Sequence, residues 1–211
     1  MKNAIILLVF IALFQSCAIT KGTENSTVLE AINLQSSVLN DELFYKILTE
    51  LEEENGVDWS NGRMDKVNAQ ELSQYANNMS WLIAQYKEKG IYSTDEVFLW
   101  RKWNPFSSTR AVTTPCVFPN CLNTTKLNKW HLKRSKFSFT NTLIHERVHS
   151  FGAIHPNQSS RGNECDPSYV AGNLAEILLL YRHNQNLDNY DKILCPGLKS
   201  KLIVYGILNT P

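Results

Sequence analysis

The chain has 211 residues and a formal net charge of +1, with 43% hydrophobic and 19% charged residues. This composition is typical of a globular protein and excludes a disordered chain. The near-neutral charge gives no electrostatic footprint for nucleic acid, so we expect no nucleic-acid partner. The length suits a single domain with its own hydrophobic core, and we expect a monomer.

The N-terminus has the features of an export signal. Lys2 supplies a positive charge, and residues 4–14 form an unbroken apolar run that is too short to span a membrane. The run ends in FQSC, residues 14–17. This ending resembles the lipobox of bacterial lipoproteins, except that phenylalanine stands where leucine is usual.

The lipobox resemblance implies how the chain is divided. Residues 1–16 would be a lipoprotein-type signal peptide, Cys17 the lipidated residue and residues 17–27 a tether, which leaves residues 28–211 as a single domain. The expected location is the bacterial cell envelope, with the lipid on Cys17 joining the protein to the membrane. The alternative is an ordinary signal peptide that is cleaved nearby, with Cys17 incidental.

The cysteine count fits an exported protein. The five cysteines are Cys17, Cys116, Cys121, Cys165 and Cys195. If Cys17 carries lipid, four remain, which is enough for two disulfides in an oxidising compartment. Four cysteines allow three connectivities, and we favour the local pairs Cys116–Cys121 and Cys165–Cys195.

Hydrophobic periodicity predicts helices in the N-terminal half of the chain. One helix begins near Val28 and ends at the acidic residues 50–54. A second helix is predicted over residues 65–88, with Gly90 as its C-cap. The following pieces EVFLWRKW, RAVTTPCVF and KLNKWHL contain β-prone residues and predict strands or extended loops.

The C-terminal half is also predicted to be mainly helical. A helix over residues 141–151 is stopped by Gly152, and a further helix starts with Asp166 as its N-cap and Pro167 at its first position. Residues 198–208 close the chain as a helix or a strand. The predicted fold class is therefore α+β and predominantly helical, with at most a small sheet before a central helix of about 140–152.

The stretch HERVHSFGAIH, residues 145–155, has the spacing of a metal site. His145 and His149 are four residues apart, which places both imidazoles on one face of a helix. Glycine at position 152 permits a positive φ, so that the chain can leave the helix and present His155 to the same ion. Three neutral nitrogens with one open position are typical of a catalytic Zn²⁺ site.

Glu146 directly follows the first histidine. In the HExxH arrangement, a glutamate at this position reaches a metal-bound water and takes its proton. A site that only holds structure has no need for such a base. The spacing therefore predicts one catalytic Zn²⁺, held by His145, His149 and His155, with Glu146 as general base.

At every defined position HERVHSFGAIH resembles the zinc signature of the metzincin metallopeptidases. The resemblance implies a zincin-like domain that hydrolyses peptide bonds of a protein or peptide substrate, as an endopeptidase, in a cleft above the helix. Two alternatives stay open. One is a surface-binding lipoprotein on an inactive zincin scaffold, and the other is a metal-dependent amidase that acts on a non-protein amide.

The chain departs from the metzincin pattern in two respects. Metzincins carry a methionine in a turn beneath the zinc, downstream of the third histidine, whereas the methionines here are Met1, Met64 and Met79. The segment CDPSYV, residues 165–170, is a candidate for the floor of the site. In addition, the sheet whose edge strand aligns the substrate in metzincins is replaced by predicted helix over much of the N-terminal half.

Further residues are candidates for the site. Glu176 lies downstream on a predicted helix and is an alternative third ligand, as in the gluzincin group. Tyr169 is a candidate donor to the oxyanion that forms during hydrolysis, as tyrosines near the zinc are in some metzincins. Asp166 is a candidate to orient a ligating imidazole, beside its predicted role as an N-cap.

Overall fold

The computed structural model describes residues 19–55, 73–76, 78–115, 122–154, 162, 164–187, 190 and 192–209. These residues form six α-helices and a small four-stranded mixed sheet. The prediction of an α+β, predominantly helical chain with a small sheet is therefore confirmed. Within these ranges, every helix is too short or too polar to cross a bilayer.

The elements follow one another in an order that places the sheet before the motif helix. The helices are α1 (Ser26–Leu39), α2 (Glu42–Asn55), α3 (Asn78–Lys89), α4 (Lys136–Ser150), α5 (Pro167–Arg182) and α6 (Pro196–Val204). The strands are β1 (Thr20–Lys21), β2 (Val97–Trp100), β3 (Ala111–Thr114) and β4 (Thr124–Asn128), with short 3₁₀ turns at Gly22–Glu24 and Lys129–His131.

The single helix predicted from Val28 is wrong, because the chain breaks between α1 and α2. Asn40 ends α1, and the carboxylate of Asp41 accepts the backbone N–H of Leu43 at 3.0 Å to start α2. Asn and Asp side chains compete with the helical backbone for such hydrogen bonds. The same carboxylate accepts Arg182 Nη2 at 2.6 Å, which joins this corner to the end of α5.

The second predicted helix is shorter than expected. Of the predicted range 65–88, residues 65–72 and residue 77 lie outside the described parts of the chain, and residues 73–76 form a turn. The helix begins at Asn78. Asparagine is a weak helix former inside a helix and is favoured at its start.

The first two β-prone pieces contain β2 and β3, and the third, KLNKWHL, overlaps the end of β4, which begins two residues earlier at Thr124. The strand order is β1-β2-β4-β3, with β2 parallel to β4 and the two outer strands antiparallel to their neighbours. In the register of the last pair, Thr113 faces Thr125. In the part of the chain that the structure describes, strand β3 therefore lies at the edge of the sheet.

Helix α4 carries the motif and lies between two hydrophobic cores. It begins at Lys136, five residues before the predicted start, because the Ser135 side chain accepts the N–H of Ser138 at 3.1 Å. Phe139 and Leu143 pack into the core beneath the sheet, whereas Ile144, Val148 and Phe151 pack into the core between the helices. A third face of α4 remains for the histidines.

Arg147 fixes α4 against the end of α3. Its guanidinium donates to the backbone carbonyls of Lys89 and Gly90, the latter at 3.1 Å, and forms an ion pair with Glu96 at 3.5 Å. These carbonyls lie at the C-terminal end of α3, where no later helical N–H group is available to donate to them. Gly90 has a φ of 59°, so the predicted glycine C-cap is confirmed.

Candidate metal centre

The structure brings the first two predicted ligands together. The Nε2 atoms of His145 and His149 lie 3.2 Å apart, and the ring centroids are separated by 5.0 Å. Two imidazole nitrogens that bind one tetrahedral Zn²⁺ at 2.0–2.1 Å lie about 3.3 Å from each other. The two histidines therefore fit a shared zinc ion.

The turn after α4 orients the second histidine. Nδ1 of His149 lies 2.8 Å from the carbonyl oxygen of Ala153. A carbonyl only accepts, so Nδ1 carries the proton and the Nε2 atom of the neutral ring presents a lone pair. Gly152 has a φ of 108°, as the motif predicts, and this turn places the carbonyl of Ala153 beside the ring.

The carboxylate of Glu146 is held by the edge strand of the sheet. The side chain is 6% exposed, and Thr113 Oγ1 on β3 donates to Glu146 Oε2 at 2.7 Å. The hydroxyl groups of Thr113 and Thr125 lie 3.0 Å apart, and the backbone carbonyl of Glu146 accepts the hydroxyl of Tyr92 at 3.2 Å. Glu146, the predicted base, is thus buried, and hydrogen bonds to its carboxylate and to its backbone carbonyl hold it in position.

Helix α5 packs closely against the first histidine. The ring of Tyr169 meets the ring of His145 edge to face, with centroids 4.5 Å apart. One turn further, a Cβ atom added to Gly172 would lie 3.2 Å from His145 Cβ and 2.8 Å from the carbonyl oxygen of Asn141. Only glycine fits this approach, so α5 forms a close wall along the histidine face of α4.

Burial and nearby negative charge keep Tyr169 protonated. The phenol is partly buried, which raises its pKa, and the negative charges of Asp166, Glu146 and Glu164 raise the pKa further. A phenol that stays neutral at physiological pH keeps its proton for donation. The structure places the ring of Tyr169 beside His145, and its role as a donor to the oxyanion stays a prediction.

Asp166 acts at the start of α5. Its carboxylate accepts the N–H of Ser168 at 2.9 Å, so the predicted N-cap is confirmed. The preceding Cys165 is bonded to Cys195, as predicted, with the Cα atoms 4.7 Å apart. Because Tyr169 follows within one turn, the segment 165–170 is held covalently beside His145.

Glu176 is engaged elsewhere. Its carboxylate oxygen Oε2 accepts Asn141 Nδ2 at 2.8 Å, pairs with the ammonium of Lys192 and lies 3.4 Å from the hydroxyl of Tyr190. Asn141 lies one turn before His145 on α4. Since α5 runs antiparallel to α4 at this contact, Glu176 lies beyond the His145 level, on the side away from His149.

Several predicted residues lie outside the described part of the chain. They are His155, Cys17, Cys116 and Cys121. Within the ranges that the structure describes, no group of three or more His, Cys, Asp or Glu side chains has the arrangement of a metal site. The two facing imidazoles are thus the described part of the candidate metal site, and the third ligand stays a prediction.

Sequence reasoning missed Thr113, Gly172 and Asn141. Thr113 is the fourth residue of the β-prone piece RAVTTPCVF, and the residue types do not show that it faces inward, because the apolar Val112 is the exposed neighbour. Gly172 did carry a signal, because a glycine in the middle of an apolar helix stripe often marks a close contact. Asn141 gave none, since its partners lie on α5.

Comparisons of the chain with models of protein families, with curated proteins and with solved structures found no match.

Proposed function

We propose that this protein is a zinc-dependent peptidase of the metzincin type. The observation that carries the proposal is the pair of Nε2 atoms, 3.2 Å apart, on the same helix as the buried carboxylate of Glu146. His145, His149 and His155 would hold the ion. When bound, Zn²⁺ acts as a Lewis acid that polarises the scissile carbonyl and lowers the pKa of water toward about 7.

Glu146 moves the proton in this proposal. Its carboxylate takes a proton from water and passes it to the leaving amine nitrogen. Thr113 holds Oε2 at 2.7 Å, so the base keeps one orientation. Tyr169, a neutral phenol at physiological pH, would donate a hydrogen bond to the oxyanion from beside His145.

The edge strand supports an extended peptide as the substrate. Among the described strands, β3 has one hydrogen-bonded neighbour, β4, and forms the edge of the sheet. An extended peptide can add to such an edge as a further strand. Because Thr113 of this strand contacts Glu146, a peptide bound there would lie near the base.

The proposal takes His155 as the third ligand. The carboxylate of Glu176 lies against Asn141 and is paired with Lys192. Moving it to the histidines would leave a partly buried ammonium without its partner. His155 comes three residues after Gly152 in the sequence, directly after the turn whose Ala153 carbonyl orients His149.

Export and lipid attachment at Cys17 are part of the proposal. The disulfide between Cys165 and Cys195 supports export, because structural disulfides persist in oxidising compartments.

Metal analysis combined with a peptide-library cleavage assay tests the function. Glu146→Ala is expected to keep zinc and lose hydrolysis, because the ligands remain and the base is gone. His149→Ala is expected to lose both. His183→Ala is the matched control, since this histidine is exposed at the far end of α5 and should change neither measurement.

Two outcomes would contradict the proposal. Full peptidase activity in the Glu146 variant would remove the mechanism. A wild-type protein that binds one zinc and cleaves no peptide would favour a binding protein or an amidase instead.

A further inference from the structure

The chain separates its charges strongly along the sequence. Residues 97–145, which include β2, β3, β4 and the first turns of α4, contain eight Lys or Arg residues and no Asp or Glu. The whole chain has a net charge of +1, so the residues outside this segment together carry −7. This stretch of sequence is therefore cationic within a nearly neutral protein, and three of its cations, Arg101, Lys102 and Arg110, lie in the loop between β2 and β3.

The loop that joins β2 to β3 exposes two aromatic side chains at its tip. Trp103 and Phe106 are 93% and 94% exposed. Single exposed apolar residues are normal, but two large aromatic side chains on one loop, both fully in solvent, indicate a surface that meets another phase or molecule.

The loop holds these aromatic residues in place. Lys102 Nζ donates to Thr109 Oγ1 at 2.8 Å across the base of the loop, and Asn128 Nδ2 donates to the carbonyl of Thr109 at 2.9 Å. A ring nitrogen of His131 lies 2.7 Å from the carbonyl of Ser107. The loop is therefore fastened to the sheet and to the turn after β4, with its tip outward.

Cationic and aromatic groups alternate around the same loop. The guanidinium of Arg101 lies 4.8 Å from the ring centroid of Trp130, which is 44% exposed. The indole N–H of Trp130 donates to the carbonyl of Lys102 at 2.8 Å. Amphipathic aromatic rings beside cations are typical of protein surfaces at the boundary between water and lipid.

The N-terminal part of the chain joins the fold at this same end of the sheet. Strand β1 pairs antiparallel with β2, with Thr20 opposite Leu99. From Thr20 toward Ile19, the chain therefore runs in the direction in which β2 leads into the loop. Ile19, the first described residue, therefore lies at the end of β1 that faces the start of this loop.

We infer that the loop 101–110, together with Trp130, docks on a lipid bilayer that carries anionic headgroups. Trp103 and Phe106 enter the interfacial region, while Arg101 and Lys102 attract the headgroups. One apolar or acyl anchor alone gives marginal, reversible membrane binding, and a second signal makes it stable. The loop supplies that signal at the end where the chain enters, independently of the peptidase proposal.

The inference is tested by co-sedimentation of the full-length protein with vesicles. The vesicles consist of phosphatidylcholine alone or with phosphatidylglycerol. The double variant Trp103→Ser/Phe106→Ser is expected to bind the anionic vesicles at least about tenfold more weakly than wild type, since two large apolar side chains no longer leave water. Wild type and variant are prepared with the same N-terminal segment and the same state of Cys17, so that segment contributes equally to both.

Matched controls use exposed residues on α6. Val204→Ser removes an apolar side chain that is 78% exposed, and this variant should bind like wild type. Arg101→Gln/Lys102→Gln should remove most of the preference for phosphatidylglycerol, whereas the exposed Lys199→Gln should not. Each charge effect should fade at high salt.

Wild-type affinity in the double variant would overturn the inference, and so would equal binding to neutral and anionic vesicles. A protein that ignores vesicles but is retained by single-stranded oligonucleotides would also overturn it, because the loop would then meet a nucleic acid. Quenching by brominated lipid provides a second measurement. Vesicles that contain brominated lipid should quench the tryptophan fluorescence of wild type more than that of Trp103→Ser, because the variant lacks the tryptophan that enters the bilayer.

Discussion

Thr113 Oγ1 donates a 2.7 Å hydrogen bond to Oε2 of Glu146, and this contact joins the edge strand of the sheet to the helix of the motif. The two residues are 33 positions apart in the sequence. In the proposed peptidase, the same strand would align the substrate and position the base. Disturbing this one contact should therefore change the chemistry more than the fold.

Thr113→Val keeps the shape of the side chain and removes the donor. Hydrogen bonds to charged groups contribute about 1.5–3 kcal/mol, so we expect kcat/KM to fall roughly ten- to a hundredfold. Zinc content should stay unchanged, because no ligand is touched. Thr114→Val on the same strand is exposed and serves as the control. Equal losses in both variants would mean that the contact has no special role.

Gly172→Ala should destabilise the protein. The added methyl group would lie 2.8 Å from the carbonyl of Asn141, so α4 and α5 must move apart at a cost of about 1–3 kcal/mol. His145 should shift with α4 and weaken zinc binding. Thermal unfolding and a zinc titration measure the two effects. In an open helix the same change stabilises, so a higher Tm would show that the helices are not in close contact here.

The third ligand is identified by zinc stoichiometry. His155→Ala should bind well below one zinc per chain, and Glu176→Gln should still bind one, because the carboxylate of Glu176 is engaged by Asn141 and Lys192. Glutamine keeps the size of the side chain, so little zinc should be lost merely because the variant unfolds. If His155→Ala keeps one zinc and Glu176→Gln loses it, the gluzincin ligand set would replace the metzincin set in the proposal.

Lys192→Met should leave the carboxylate of Glu176 without its cation. That carboxylate is 7% exposed in its side chain, and breaking a buried pair costs roughly 3 kcal/mol. Denaturant unfolding measures the loss. The double variant Glu176→Gln/Lys192→Met should recover much of the stability, since no uncompensated charge remains. A double variant as unstable as Lys192→Met would show that the Lys192 side chain stabilises the protein through its packing and not through its charge.

Cys165→Ser/Cys195→Ser should lower the free energy of unfolding. The bond closes a loop with a sequence separation of 30, and the chain-entropy model gives about 3–4 kcal/mol for such a loop. Reduction of the wild-type protein should lower the Tm in the same way. A Tm that does not respond to reductant would mean that the bond adds nothing to stability.

The local part of the site could be predicted from the sequence. Helical spacing alone places His145 and His149 on one face, and the glycine at 152 predicts the turn that follows. The cap at Asp166 and the disulfide at Cys165 follow from residue type and count. Each of these features depends on neighbours in the chain or on a small number of combinations.

The remaining features depend on long-range contacts. The contact of Thr113 with Glu146 depends on the sheet register, and the pairing of Glu176 with Lys192 depends on the path of the chain after α5. The helix break at Asp41 was missed because the apolar periodicity continues across it. A periodic pattern reports which side of a segment is buried, but not which distant residue lies against it.

If the protein is the proposed peptidase, the disulfide between Cys165 and Cys195 also has a consequence for autolysis. The connection between α5 and α6 lies inside the covalent ring that this bond closes. If the protein cuts itself there, the two pieces remain one molecule, and α5 keeps its place beside His145. A nicked chain would run as a single band on a non-reducing gel and separate into two after reduction.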